Sequence, residues 1–117
     1  MVYSVTVTEI GEMVVPLLDE KMLILFGPTV PEEIKDICAV HDGVPSDEEL
    51  LKFNGSISID GALYTITEVG EAANSNFGGL GHLTILFGTA GELLPGSVRV
   101  NLNNTPALFT GSKIVFS

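Results

Sequence analysis

Two histidines, His41 and His82, are the side chains of this 117-residue sequence best suited to acid–base or group-transfer work near neutral pH. A neutral imidazole offers a nitrogen lone pair, so an accessible ring can accept a phosphoryl group and later give it up. Its second nitrogen must then be held by a carbonyl or carboxylate, and Asp42 is too close in sequence to be assumed suitable for that. The competing reading of His41 is an ordinary loop histidine. For His82 it is a partly buried ring at a strand end, satisfied by a backbone group. If the rings meet, His82 would orient a phosphoryl group or hold a proton while His41 bonds covalently.

A bound phosphoryl group needs donors, yet only Lys35 and Lys52 supply cations near His41, amid Asp36, Asp42, Asp47, Glu48 and Glu49. Backbone N–H groups are the better cradle. Gly78, Gly79 and Gly81 could form such a concavity, with Asn74 and Asn76 adding side-chain donors, although a flexible turn has the same composition. No paired cysteines or His-x-x-x-His run marks a metal site, and a zinc site from His41, His82 and carboxylates ranks last among the readings. No cofactor motif is present either: Gly78-Gly79-Leu80-Gly81 lies after a loop and before a strand, the wrong context for a dinucleotide helix.

The elements that must position these residues are written twice. Thr6-Val7-Thr8-Glu9-Ile10-Gly11-Glu12 returns as Thr65-Ile66-Thr67-Glu68-Val69-Gly70-Glu71, and Ile24-Leu25-Phe26-Gly27 returns as Ile85-Leu86-Phe87-Gly88. By this echo His82 stands where the first copy has Lys21. Gly55-Ser56-Ile57-Ser58-Ile59 is matched in turn to Gly96-Ser97-Val98-Arg99-Val100. From Phe26 to Gly55 is 29 positions but from Phe87 to Gly96 only 9, so residues 28–52 read as an insertion into the first copy. His41 lies inside it, and chemistry is usually grafted onto scaffold loops. The expectation is one domain of two repeats, about 1–59 and 60–117, with that insertion.

Apolar residues make up 45% and charged residues 17%, with mean hydropathy +0.43, enough for a packed core. No apolar run approaches the roughly 18 residues of a membrane span, and the N-terminus lacks signal-peptide character, so the expected location is cytoplasmic without membrane insertion. A lone Cys38 fits a reducing compartment. Five Lys and Arg against 15 Asp and Glu give a formal charge of −10, which opposes nucleic acid and anionic lipid and could steer a basic partner protein.

Period-2 alternation predicts a strand over 2–10, continued past a bend by Met13-Val14-Val15 until Pro16, then a buried strand over 22–26. Pro31 opens a short helix with Glu32 and Glu33 in its first turn and Ile34, Ile37 and Cys38 on one face. Ser46-Asp47-Glu48-Glu49 has capping-box spacing and suggests a turn of helix through Leu50. Strands follow over 56–59 and 62–69 around the Asp60-Gly61 turn, over 82–87, over Ser97 to Leu102, and, after Asn103-Asn104-Thr105-Pro106, over 113–116, with 71–81 as loop or brief helix. About seven short strands argue for a mainly β protein. The choice is a closed or nearly closed β-barrel with an internal pseudo-twofold repeat and one short helix in the inserted segment; an open sandwich is the alternative, and an unpaired barrel edge could join two subunits as a homodimer.

The chain resembles the glucitol/sorbitol-specific IIA component family of the bacterial sugar phosphotransferase system (PTS). The likeness rests on Thr67-Glu68-Val69-Gly70, Ala73, Asn76, Leu80-Gly81-His82, Thr84 and Phe87, on Pro95-Gly96-Ser97-Val98, and on Cys38-Ala39-Val40-His41. The resemblance implies that His41 accepts phosphate from the histidine-containing phosphocarrier protein. It implies delivery to the IIB component of the IIB/IIC permease, for uptake and phosphorylation of a hexitol such as glucitol. Where family members can carry another histidine shortly after this one, the chain has Asp42-Gly43-Val44. A carrier histidine is expected to face outward, within reach of another protein. A non-covalent acidic binding or regulatory module is the alternative function.

Overall fold

The computed structural model describes residues 2–101 and 104–117. Among them are eight strands, β1 (Tyr3–Ile10), β2 (Met22–Phe26), β3 (Ala39–His41), β4 (Ser56–Ile59), β5 (Ala62–Val69), β6 (Leu83–Phe87), β7 (Ser97–Val100) and β8 (Lys113–Phe116). They close into a barrel in the order β1-β3-β2-β6-β7-β5-β4-β8. Two α-helices, α1 (Val14–Asp19) and α2 (Ala73–Leu80), and one 3-10 helix (Glu32–Ile37) complete the described elements. Alternation explains the barrel wall: Val5 and Val7 of β1, and Tyr64 and Ile66 of β5, turn inward to a core shared with Leu25, Ile85, Val98 and Phe116. Closure leaves no strand edge in this order, which removes the edge-pairing route to a homodimer. No helix among the described residues is long and apolar enough to cross a membrane.

The pseudo-twofold is present down to single hydrogen bonds. Thr6 N–H donates to Asp42 Oδ1 (2.8 Å) as Thr65 N–H donates to Asn101 Oδ1 (2.7 Å). Thr8 Oγ1 donates to Val40 O as Thr67 Oγ1 donates to Arg99 O, both at 3.3 Å. Strand β1 carries an irregularity between Val7 and Glu9, and β5 the same between Ile66 and Glu68. In this frame β3 is the twin of β7, so His41 corresponds to Val100.

That frame corrects the expected insertion. Residues 28–52 contain β3, a full member of the barrel paired to β1 and β2, so the segment is mostly repeat and His41 ends a strand rather than sitting in an added loop. The twin of β4 is β8, not β7: Ile57 pairs Phe116 and Ile59 pairs Ile114 across the approximate axis. Sequence misled because Ser-Ile-Ser-Ile and Ser-Val-Arg-Val share the composition of any short buried strand, while β3 is too short to display a period. The other echo slips by one residue. Helices α1 and α2 end at left-handed residues Lys21 (φ 67°) and Gly81 (φ 70°), so His82 corresponds to Met22 rather than Lys21.

Pro31 does precede the 3-10 helix, whose Ile34 and Ile37 pack with Cys38, Val40 and Phe26 in a second cluster outside the barrel. Asp60 (φ 49°) and Gly61 (φ 90°) form the tight turn. Residues 14–19 are helix, not strand, because Pro16 stands in a first turn whose N–H groups have no helical partner to lose. The turn of helix expected over 46–50 is absent; Ser46 Oγ accepts from Glu48 N–H (3.1 Å), not from the N–H of Glu49 as a capping box would have it. Strand β7 ends at Val100, and the expectation for Leu102 and Asn103 lies outside the described residues.

Candidate functional site

Strand β3 delivers His41 to one end of the barrel, opposite Val7 of β1, and the ring is fully buried at 0% exposure. Two backbone groups grip it. Gly43 N–H donates to Nδ1 at 2.9 Å, which makes Nδ1 the acceptor and leaves the proton on Nε2, 2.8 Å from Gly81 O. The carbonyl expected to fix the tautomer is therefore Gly81 O, contributed by the turn after α2. Gly81 ends the helix with φ 70°, and a Cβ there would stand 2.7 Å from the ring carbon Cε1. At Gly43 a Cβ would meet Tyr3 Oη at 2.5 Å and the ring at 2.8 Å. Glycine at both positions lets backbone close on imidazole. Phe77 of α2 covers the ring (centroids 6.0 Å apart) and packs edge-on against Tyr3 at 5.8 Å.

Residues 42–46 form a strap over this ring. Asp42 N–H donates to Thr6 O (3.1 Å), Tyr3 Oη donates to Val44 O (2.9 Å), and Ser46 N–H donates to Gly78 O (2.9 Å). Beyond it, Asn74 clamps the backbone of Leu51, accepting from its N–H and donating to its carbonyl, both at 2.8 Å. A cavity of about 200 Å³ lies beside the strap, lined by Pro28, Thr29, Asp42 to Pro45 and Gly79 to Gly81. Burial pushes His41 below the usual imidazole value, against the opposing pull of its Gly81 hydrogen bond and of Asp42, so the ring is neutral at pH 7. Burial, then Asp42, pushes the Tyr3 hydroxyl upward.

Against the sequence expectations, His41 does not face outward: it is sealed with both nitrogens engaged. His82 is half-buried, stacks on Phe26 (4.7 Å, 19°), and is lowered by burial; its ring makes no contact with that of His41. Gly78, Gly79 and Gly81 do not form an amide concavity, because they are the last turn and cap of α2, with Gly81 N–H spent on Phe77 O. The donor at the ring is Gly43 N–H. Asn74 serves Leu51, and the Asn76 side chain lies toward Gly96. Among the described residues no three His, Cys, Asp or Glu side chains converge as a metal site. Sequence reasoning missed Tyr3 and Phe77. Tyr3 carries the one readable signal, an aromatic at the first position of a strand that otherwise consists of Ser, Val, Thr, Ile and a single Glu.

The closed barrel is a fold shared with a solved protein. The family model described as "PTS system glucitol/sorbitol-specific IIA component" matches residues 2–115. A PTS system glucitol/sorbitol-specific EIIA component from Escherichia coli (strain K12) is 32% identical over 104 residues, covering 86% of this chain and 81% of the relative; one from Shigella flexneri is equally similar. The crystal structure of a PTS system IIA component from Enterococcus faecalis V583 superposes with TM-score 0.81 at 31% identity, covering 95% of this chain and 96% of that one. The chain is thus built as a component of a sugar phosphotransferase system. It belongs to the glucitol/sorbitol-specific IIA component family.

Proposed function

We propose that this chain is a phosphoryl carrier. His41 accepts a phosphoryl group from the phosphohistidine of the histidine-containing phosphocarrier protein and passes it to a IIB component, which serves uptake of a hexitol such as glucitol. The phosphorus–nitrogen bond of the donor breaks and leaves its electron pair on the donor ring, while a lone pair of His41 forms the new bond. Exchange between two such nitrogens is nearly balanced and in principle requires positioning and dipoles rather than a metal. The single observation that carries the reading is that His41, neutral and held in one tautomer by backbone groups, stands in a chain of this family; its burial with both nitrogens engaged runs against the reading and requires the site to open.

Sealing has a mechanistic consequence. Nδ1 can attack only after Gly43 N–H withdraws, and Nε2 only after giving up the proton it shares with Gly81 O. Either route opens the site. The phosphoryl group would then occupy the cavity beside Gly43, Gly79 and Gly81, with the freed Gly43 N–H as a donor, while Gly78, Asn74 and Asn76 hold the frame. His82 follows Gly81 in the chain but stacks on Phe26, does not line that space, and is not required for the bond.

Incubated with the phosphocarrier system, the protein gains an acid-labile phosphate that His41→Ala abolishes and His82→Ala does not. Label retained in the first variant removes His41 from the role. The closed ring favours one rival, a non-covalent acidic binding module in which His41 is structural. Intact mass separates the two: a wild type that binds the phosphocarrier yet never gains a phosphate belongs to the rival.

A further inference from the structure

We propose that Tyr3 is the positioning residue of this site: its hydroxyl latches the strap 42–46 over His41, and release of that latch admits the phosphoryl donor. Only the second clause rests on the carrier reading. Both ends of the strap are tied to regular structure, Asp42 to Thr6 of β1 through two hydrogen bonds and Ser46 to Gly78 of α2. Between those ends, two contacts hold it down, Gly43 N–H to His41 Nδ1 and Tyr3 Oη to Val44 O. Apolar burial adds little there, since Val44 is 70% exposed. The hydroxyl itself stands in a fixed place, because the Tyr3 ring is wedged against Phe77 and Phe116 at 5.8 and 6.2 Å. When the strap lifts, Gly43 goes with it, so breaking the latch and freeing Nδ1 are one movement.

The other half contains a permanent version of the same device. Tyr64 donates its hydroxyl to Asn104 O, but its ring is sealed in the barrel at 2% exposure, and the residue twinned with His41 is Val100. Tyr3 is different in both respects. It stands two register places further out, where the twin is Ala62, its hydroxyl is near solvent, and its strap covers an imidazole. A staple that any solvent fluctuation can break, placed over a reactive ring, is a gate.

Carbethoxylation of the folded protein by diethyl pyrocarbonate, mapped by peptide mass, measures access to each ring, with half-buried His82 as the internal reference. In the wild type His41 reacts more slowly than His82. Tyr3→Phe keeps the ring and removes the latch; it raises the His41 rate, and the initial rate of phosphorylation, by about two- to tenfold, the worth of one hydrogen bond, and leaves His82 unchanged. Gly43→Ala, whose methyl must push the strap off Tyr3 and the ring, does the same by a different cause. A merely structural tyrosine would not speed phosphorylation when cut back. The latch is overturned if His41 in the wild type reacts as fast as His82, or if neither folded variant raises its rate. Faster carbethoxylation with no phosphate ever gained supports the latch and overturns the carrier reading; phosphate on His41 with unchanged carbethoxylation does the reverse.

Discussion

At the scale of single residues, the site is governed by what surrounds one ring. His41 and His82 are both lowered below the ordinary value of 6.5 by burial. Lowered histidines bind fewer protons folded than unfolded, so stability is full above about pH 6.5 and declines as pH falls from there toward their folded values. The protein should therefore show a lower urea midpoint at pH 5.5 than at pH 7.5. His41→Leu should be less stable at both but lose part of that difference. A wild-type midpoint unchanged over this interval would show that burial does not keep the rings neutral. Asp60, lowered by its bonds to Ser112 and Lys113, acts only in a more acid range and does not interfere. The same residue scale shows why His41 could be singled out from sequence while its surroundings could not. Histidine announces its chemistry, but a glycine carbonyl and a glycine amide announce nothing about where they point.

At the scale of elements, α2 is the piece that assembles the site. It brings Phe77 over the ring, ends at Gly81, receives Ser46 through Gly78, and fastens the next segment through Asn74. Leu51 is 1% exposed, and among the described residues its two backbone groups are satisfied by that side chain. Asn74→Ala should cost about 2 kcal/mol in denaturant unfolding and speed amide exchange at Leu51, because a buried pair left unmade costs more than it contributes when made. No change in either quantity would mean that water replaces the clamp. Sequence marked Asn74 and the glycines as a possible cradle from composition alone, which cannot separate a donor aimed at a ligand from one spent on a neighbouring loop. Strand β3 escaped notice for a related reason, being three residues wide and buried on both sides, between the barrel core and the 3-10 helix.

At the scale of the molecule, the two halves are interleaved. Strand β4 of the first half lies between β5 and β8 of the second, β2 pairs β6, and β1 pairs β8. Separate chains 1–59 and 60–117 should show no cooperative melting by circular dichroism alone and regain it on mixing. A cooperative transition in either half by itself would show that the repeats are independent. The net charge of −10 bears on partners at this scale too: the proposed association with a basic phosphocarrier should weaken as salt rises.

Sequence by itself determined the barrel-forming alternation, the doubling, the Asp60-Gly61 turn, the helix opening after Pro31, and the candidacy of His41. Each of these is local or is a copy of something local. Tertiary structure alone decided that β3 belongs to the wall, that β4 is twinned with β8, and that the imidazole is closed in by Gly43 and Gly81 under a strap bonded to Tyr3. Those outcomes depend on which strands meet when the barrel closes, and contacts between residues forty positions apart leave no period in the chain to be read.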